Sequence, residues 1–295
     1  MRLLLCCGLL LLAACQTSTP LPPVPAWQSP QGHAHADLGV IVDLRSGARL
    51  TPAQLVEQLA AAERVLVGEQ HDNPDHHALQ LWLLQALAAQ RPQASLLLEM
   101  LNPDQQARVV AAHAATLGGQ APADLPAALA WQKNWDWALY GPIVAYALAQ
   151  PYPLQAANLN RSEIMQIYAQ RPSLSGPLST AAPVRESLLA DIRESHCGLL
   201  PEAQLPAMLA VQQQRDRRMA ERLLAAPTPA LLIAGAFHVR RDLGVPVHLR
   251  DLDQQATALV LVFAEVGKPV SAASADFVWY SAALPEQDHC AALRH

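Results

Sequence analysis

Lysine, and charge in general, are scarce in this chain of 295 residues. Charged residues make up 15% of it, and Lys133 and Lys268 are the two lysines among 20 basic residues. The formal net charge is −5, and the basic residues form no long run. Nucleic acids and anionic membrane surfaces attract proteins through clustered positive charge, so neither is expected as a partner. At 52% hydrophobic residues, the chain is also too apolar for wholesale disorder.

Two common catalytic or cofactor motifs are missing as well. The sequence has no Gly-x-Ser-x-Gly segment, which excludes the nucleophile elbow of serine hydrolases. Its first strand-to-helix turn does not read Gly-x-Gly-x-x-Gly, so the sequence does not support a dinucleotide-binding site.

The first fifteen residues have the pattern of a bacterial lipoprotein signal. Arg2 supplies a positive charge, and Leu3–Ala14 is a continuous apolar stretch of twelve residues. Twelve residues are too few to cross a hydrocarbon core about 30 Å thick, so the stretch predicts an export signal. Residues 12–15 read Leu-Ala-Ala-Cys and resemble a lipobox, which predicts a lipid on Cys15. An ordinary secretory signal is the alternative.

The residue after the lipobox predicts where the lipoprotein resides. Gln16 stands where a retention-type Asp would hold such a protein in the inner membrane, so we expect an outer membrane lipoprotein that faces the periplasm. Residues 16–36 carry five prolines and predict a semi-rigid tether. Residues 37–285 then form the folded domain, and 286–295 a C-terminal tail.

Cysteine usage agrees with export to an oxidising compartment. Two of the five cysteines leave with the signal and Cys15 carries lipid, so Cys197 and Cys290 remain as thiols. In the periplasm, two remaining thiols predict a structural disulfide more readily than a catalytic pair.

The folded part alternates short apolar runs with stretches of helical periodicity. Near-continuous apolar strands separated by helices predict an α/β fold, with a largely parallel sheet covered by helices on both faces and an added helical layer. The predicted strands are Leu38–Leu44, Val65–Gly68, Ser95–Glu99, Pro153–Ala157, Ala230–Ala234 and Ala258–Ala264.

Polar side chains end four of these strands or follow them within a few residues. Ligands of open α/β sheets bind beyond the carboxyl ends of the strands, so the residues found there are expected to share one pocket. Two carboxylates, two imidazoles and a guanidinium are able to bind a divalent metal, activate water or hold an anion. The predicted pocket residues are Glu69, His71, Glu99, Asn158, Arg161 and His238.

These residues have more than one interpretation. Within the pocket, His71 and His238 are candidate metal ligands. Arg161, in contrast, can have the simpler role of neutralising a nearby carboxylate. Asp216 is expected on the solvated face of a long helix, paired with Arg161 or Arg240.

The residues after the first pocket histidine favour a helix start. Asn73 and Asp75 are explained by a helix cap with an acidic first turn. The neighbouring His76 and His77 point about 100° apart on a helix, so at most one of them faces the pocket.

The strand-end segments resemble the ChaN family of haem-binding lipoproteins, within the Tiki superfamily. The resemblance runs in order over roughly residues 37–285, and the lipobox in front agrees with it. It rests on Val-Gly-Glu-Gln-His-Asp-Asn-Pro-Asp-His-His at 67–77, Leu-Leu-Glu-Met at 97–100, the Trp131–Tyr140 segment, Asn-Leu-Asn-Arg at 158–161, Ser-His-Cys-Gly at 195–198, and Gly-Ala-Phe-His at 235–238.

The resemblance implies a haem carrier of bacterial iron uptake. In that family two monomers sandwich two haems, and a tyrosine holds each iron. The ligand is predicted to be Tyr168, which lies over Ile164 and Met165 on a helix, with Tyr140 as the second candidate. Lys133 and Arg171 are candidate partners of the haem propionates by charge. The implied partners are haem, a second copy of the chain, the membrane through Cys15, and haem-uptake machinery.

A hydrolase remains the alternative function. The superfamily includes erythromycin-esterase-like enzymes and proteases with a comparable Glu/His set. There His71 or Glu69 would activate water, and a divalent metal in the pocket is a variant of the same idea. We take the carrier, and therefore a protein that is not an enzyme, as the prediction.

Overall fold

The computed structural model describes residues 20–288 and 290–291. Cys15 and the predicted signal peptide lie outside the described residues. Eight strands form one sheet in the order β2-β1-β8-β7-β3-β6-β4-β5. The pairs within β8-β7-β3-β6-β4-β5 are all parallel, and β1 pairs antiparallel with both β2 and β8. The strands are β1 Ile41–Asp43, β2 Ala48–Leu50, β3 Arg64–Glu69, β4 Ser95–Leu98, β5 Leu154–Ala156, β6 Ala230–Gly235, β7 Leu259–Glu265 and β8 Phe277–Ser281.

Helices cover both faces of the sheet, so the predicted α/β fold is confirmed. The central strands are buried on both sides, as their continuous apolar runs require. The helices are α1 Pro52–Ala60, α2 Pro74–Ala88, α3 Gln106–Leu117, α4 Leu125–Ala128, α5 Trp137–Leu148, α6 Arg161–Gln170, α7 Ala182–Ser195, α8 Leu205–Ala225, α9 Ala236–Val239 and α10 Val245–Leu252.

Local chemistry explains where the helices around the strand ends begin. Asn73 caps α2, because its side-chain oxygen accepts hydrogen bonds from the amides of Asp75 and His76. Asn160 caps α6 in a capping box with Glu163. Both helices therefore start directly beyond the carboxyl ends of β3 and β5, where a ligand would lie.

The described part of the predicted tether packs against the domain. The backbone amides of Gln28 and Ser29 donate to the buried Asp75 carboxylate, at 2.6 and 3.0 Å, and the Trp82 indole donates to the carbonyl of Pro22. A proline-rich segment leaves backbone groups without internal partners, so it binds the domain through these groups. Asp75 thus does more than the helix-cap interpretation assumed.

Two features complete the scaffold. A disulfide joins Cys197 and Cys290, whose Cα atoms lie 5.8 Å apart. Within the described residues, no helix is both long and apolar enough to cross a membrane.

Candidate functional site

Glu69 and His71 form a hydrogen-bonded pair at the carboxyl end of β3. Nδ1 of His71 lies 2.6 Å from Oε1 of Glu69. The carboxylate is an acceptor only, so Nδ1 carries the proton and donates it to Glu69. Glu69 is 2% exposed, whereas the His71 side chain is 45% exposed. The His71 ring is therefore partly open to solvent, and no described residue hydrogen-bonds to its Nε2.

Aromatic residues enclose the inner side of this pair. The Tyr140 hydroxyl donates to Oε1 of Glu69 at 3.0 Å, and the Trp135 ring meets the His71 ring edge-on at 4.9 Å. Nε2 of His77 hydrogen-bonds to the carbonyl of His71 and lies 3.7 Å from Glu69. Glu69 and His71 are thus fixed from several sides, which favours a functional arrangement over a chance contact.

A second charged group lies at the ends of β4 and β6. His238 lies between two carboxylates, with Nδ1 2.5 Å from Oδ1 of Asp216 and Nε2 3.3 Å from Oε1 of Glu99. All three side chains are buried. Gly68 makes the arrangement possible, because a Cβ there would collide with Val239 in the helix that carries His238.

Gly235 joins the two groups into one site. Its amide donates to Oε2 of Glu99 at 2.8 Å, and a Cβ at this position would lie 2.8 Å from Cε1 of His71. The Asn158 side-chain amide donates to the backbone carbonyl of Glu99. The strand-end residues Glu69, His71, Glu99, Asn158 and His238 therefore come together, as predicted.

The buried charges change the pKa values at the site. Burial by itself would lower the pKa of His238, but Glu99 and Asp216 raise it to about 10. Burial would raise the pKa of Glu99, but His238 lowers it to about 2. His71 also has a raised pKa, because the hydrogen bond and charge of Glu69 outweigh its burial. His238 is consequently an imidazolium at neutral pH.

Three expectations for this site are wrong. Arg161 is exposed at the start of α6 and forms no ion pair with Glu69 or Glu99. Asp216 pairs with His238, not with an arginine, because it points inward from α8.

The third wrong expectation is the metal site at His71 and His238. Both ring nitrogens of His238 already face carboxylates, and the described residues contain no group of three or more side chains able to hold a metal ion. The donors present therefore do not fit a metal at His71 and His238.

Helices contribute site residues that strand-end reasoning missed. Asp216 comes from α8, and Tyr140 comes from α5 as a partner of Glu69. A third residue of the site, His77, did have a signal in the sequence, which is the spacing of two neighbouring histidines on a helix. His77 contacts the His71 carbonyl and Glu69, whereas His76 hydrogen-bonds to Ser281 and to the amide of Gln70. The two rings point in different directions, as their 100° separation on the helix predicts.

The residues predicted to hold haem lie on different elements, except that Tyr168 and Arg171 share the end of α6. Tyr140 is 1% exposed, which removes it as a surface ligand. Lys133 is exposed beside Trp135, in an open cavity of about 750 Å³. Tyr168 is half-buried on α6, and Arg171 ends that helix in the left-handed conformation.

Comparison with known proteins decides the family. A family model described as "Haem-binding uptake, Tiki superfamily, ChaN" matches residues 55–249, a span that includes Glu69, His71, Glu99 and His238. The chain belongs to the ChaN family. No curated protein matches the chain in sequence.

This ChaN-family chain is similar to several solved structures. The structure titled "Cofacial heme binding to ChaN of Campylobacter jejuni" is 29% identical, covers 81% of this chain and 95% of its own, and has a TM-score of 0.74. An erythromycin esterase, EreC, is 13% identical over 77% of this chain and 78% of its own, with a TM-score of 0.46. A toxin effector domain of Vibrio vulnificus is 16% identical over 81% of this chain and 39% of its own, with a TM-score of 0.44.

Proposed function

We propose that this protein is a haem-binding lipoprotein of bacterial iron uptake. Two findings support haem as the ligand: the chain belongs to the ChaN family, and the similar ChaN of Campylobacter jejuni binds cofacial haems. A lipid on Cys15 would hold the domain at the outer membrane, on the periplasmic side, where it would exchange haem with uptake machinery.

The exposed face of α6 carries the proposal. All ten residues of this helix are at least partly exposed, and Met165 is 60% exposed. At 100° per residue, Ile164, Met165 and Tyr168 share one face, opposite the face whose Glu163 pairs with Arg218 of α8. A surface with exposed apolar side chains and a tyrosine is what a flat, apolar porphyrin requires.

Tyr168 is the tyrosine best placed to bind the iron. Its phenolate would be a hard anionic ligand for ferric haem, and tyrosine serves as a haem ligand in other proteins. Tyr152 is buried, and Tyr146 and Tyr280 pack against the core. Tyr168 alone among the five lies on an exposed apolar face.

The same face would also provide the interface of a homodimer. A haem on α6 would leave its second face open to water, and the haem of a second copy would cover it in a cofacial stack. The homodimer would therefore form on haem binding, with α6 of each copy at the interface.

A haemin titration of the chain from Gln16 onward tests the carrier. We expect saturable binding and a high-spin ferric spectrum of the tyrosinate type. Tyr168→Phe should lose that spectrum, whereas the control Tyr280→Phe should keep it. No saturable binding by the wild type would refute the carrier, and a retained spectrum in Tyr168→Phe would refute its ligand.

The proposed anchor needs a separate test. Replacement of Cys15 by Ser should move the protein from the outer membrane fraction to the soluble periplasm, because one residue carries the lipid. Unchanged membrane association would contradict the lipoprotein assignment but would not bear on haem binding.

The Glu69–His71 pair supports hydrolysis as a second candidate function. Glu69 fixes the proton on Nδ1, which leaves Nε2 of this partly exposed histidine without a described partner and able to act as a base toward a water molecule. Glu69 would stabilise the imidazolium that forms when His71 takes the proton.

An ester screen tests this candidate. Hydrolysis that falls about 10²-fold or more in His71→Asn would support it, since that is the usual contribution of a general base. His113→Asn is the control, because His113 bonds to the Gln150 carbonyl away from the site. A wild type without activity, or His71→Asn with full activity, would refute it.

A further inference from the structure

The first described segment of the chain, residues 20–31, is a strap that lies along α2. One end of the strap is fixed where the parallel strands end, because Gln31 pairs with Ala283 just beyond β8. Two backbone amides of the strap donate to Asp75, in the first turn of α2. Since α2 begins directly beyond β3, this end of the strap lies at the same edge of the sheet as the candidate site.

The strap then runs toward the opposite edge of the sheet. The carbonyl of Pro22 accepts a hydrogen bond from the Trp82 indole at 2.8 Å. Trp82 lies about 10 Å further along α2 than Asp75, at 1.5 Å per residue. This helix leads from the carboxyl end of β3 back to the amino end of β4, because the two strands run in the same direction. The strap therefore reaches Pro20 on the side of the amino edge, where the parallel strands begin.

A short stretch of chain separates the strap from the proposed lipid anchor. Cys15 lies five positions before Pro20. An extended chain spans at most about 3.6 Å per residue, so the two residues lie within about 18 Å of each other. The central strand β3 is itself about 20 Å long, at about 3.3 Å per residue. A tether of this length therefore cannot carry the lipid from the amino edge to the edge that bears the site.

The amino edge has few charged side chains. The segments that lead into β3, β4, β5, β6 and β7 are 61–63, 89–94, 149–153, 226–229 and 253–258. Their charged residues are Glu63, Arg91 and Asp253. Glu63 pairs with Arg64 at 3.1 Å, and Arg91 donates to backbone carbonyls at the end of α1. Asp276, which precedes β8, pairs with Arg241. Most charges at this edge are thus already bound within the domain.

The opposite edge differs, because the carboxylates of the candidate site, Glu69 and Glu99, lie there. The amino edge instead presents Leu117, which is 54% exposed at the end of α3. One turn earlier, His113 hydrogen-bonds to the carbonyl of Gln150 ahead of β5, which places this helix end at the amino edge. Charged groups lose solvation free energy near hydrocarbon, whereas uncharged surface loses little. The amino edge is therefore the better suited of the two to lie against lipid.

We propose that the strap holds the amino edge of the sheet against the membrane and turns the candidate site toward the periplasm. The inference rests on the lipid anchor proposed above and does not depend on haem. The amino edge would lie on the headgroup layer of the outer membrane. The candidate site and the start of α6 would stay open to ligands and soluble partners.

Contact quenching of a fluorophore in vesicles tests this orientation. The full lipidated protein is reconstituted into vesicles of phosphatidylethanolamine and phosphatidylglycerol, in which part of the headgroups carry a nitroxide. Cys197 and Cys290 are joined in a disulfide and Cys15 would carry lipid, so an introduced cysteine takes the fluorophore. Gln90→Cys at the amino edge and Ser162→Cys at the start of α6 are a matched pair, because both side chains are exposed.

The two labels should respond differently. Gln90→Cys should lose most of its fluorescence and Ser162→Cys should lose little, since about 20 Å of sheet separates the two edges. Equal quenching at both positions, or stronger quenching at 162, would overturn the orientation and leave the lipid anchor intact. A lipid-free protein, made by Cys15→Ser, should show no quenching at either position. A wild type that does not associate with membranes would overturn both the anchor and the orientation.

A longer tether tests the role of the strap itself. An insertion of about twelve Gly and Ser residues between Thr19 and Pro20 gives a flexible connection that lets the domain turn. Quenching at position 90 should then fall toward that at position 162. Quenching that the insertion leaves unchanged would overturn the role of the strap in holding the amino edge at the membrane.

Discussion

Replacement of His238 by Gln should destabilise the protein in a pH-dependent way. The imidazolium lies between the carboxylates of Glu99 and Asp216, at 3.3 and 2.5 Å. Its removal leaves two buried carboxylates without their cation. Loss of one partner of a buried ion pair typically costs about 3–5 kcal/mol.

The pKa of His238 gives a second route to the magnitude. The folded-state value is raised from 6.5 to about 10, so the group stabilises the fold fully below pH 6.5 and loses that effect as the pH rises through 10. At about 1.36 kcal/mol for each pKa unit, the contribution is about 5 kcal/mol at low pH, about 4 kcal/mol at pH 7 and about 1 kcal/mol at pH 9.5.

The pKa of Glu99 determines how the free energy of unfolding changes at acidic pH. Its pKa is lowered from 4.5 to about 2, so its contribution is present above pH 4.5 and is lost as the pH falls through 2. Glu99 and His238 share one interaction, so their contributions are not added. The stabilisation is therefore greatest between pH 4.5 and 6.5.

Urea unfolding of wild type and His238→Gln at pH 6, 7 and 9.5 measures the effect. The difference in unfolding free energy should shrink by several kcal/mol between pH 6 and 9.5. The control His113→Gln removes a histidine bonded to a backbone carbonyl, so it should cost about 1 kcal/mol. A difference for His238→Gln that is below 1 kcal/mol at pH 7, or flat with pH, would refute the account of this site.

Three further results are expected. Reduction of the disulfide, whose cysteines are 93 residues apart, should lower the unfolding free energy by about 4–5 kcal/mol in urea titrations, and an unchanged midpoint would contradict this. Asp75→Ala removes the acceptor of two amides, so hydrogen exchange at residues 28 and 29 should accelerate; equal rates would show that the segment is held by other contacts. Gly235→Ala should displace the His71 ring and lower the pKa of His71 toward 6.5, which NMR titration of the ring protons would measure. A titration identical to that of the wild type would refute the close contact between Gly235 and His71.

The strand ends were predictable from the sequence because one rule governs them. Strands β3, β4 and β6 have continuous apolar runs, and Glu69, Glu99 and His238 lie at or within three residues of their ends, at the same edge of the sheet. Strand β2 was not predictable, because it has three residues, two of them exposed. Strand β8 was not predictable either, because its place between β1 and β7 depends on pairing with distant segments.

The helical contributions to the site were not predictable in the same way. Asp216 is one of several charged residues in a row on α8, and only the packing of that helix against β6 decides that it faces His238. Tyr140 has the composition of a core aromatic, and its hydroxyl reaches Glu69 because α5 packs on α2. Helical periodicity predicts a face but not the neighbour of that face.

A crystal structure of the haemin-loaded chain tests the central claim most directly. The account predicts that the iron lies within bonding distance of the Tyr168 phenolate oxygen, on the exposed face of α6, with a second copy of the chain over the haem. Iron bound elsewhere, for example beside Trp135 and His71, would contradict the assignment of Tyr168 as the ligand.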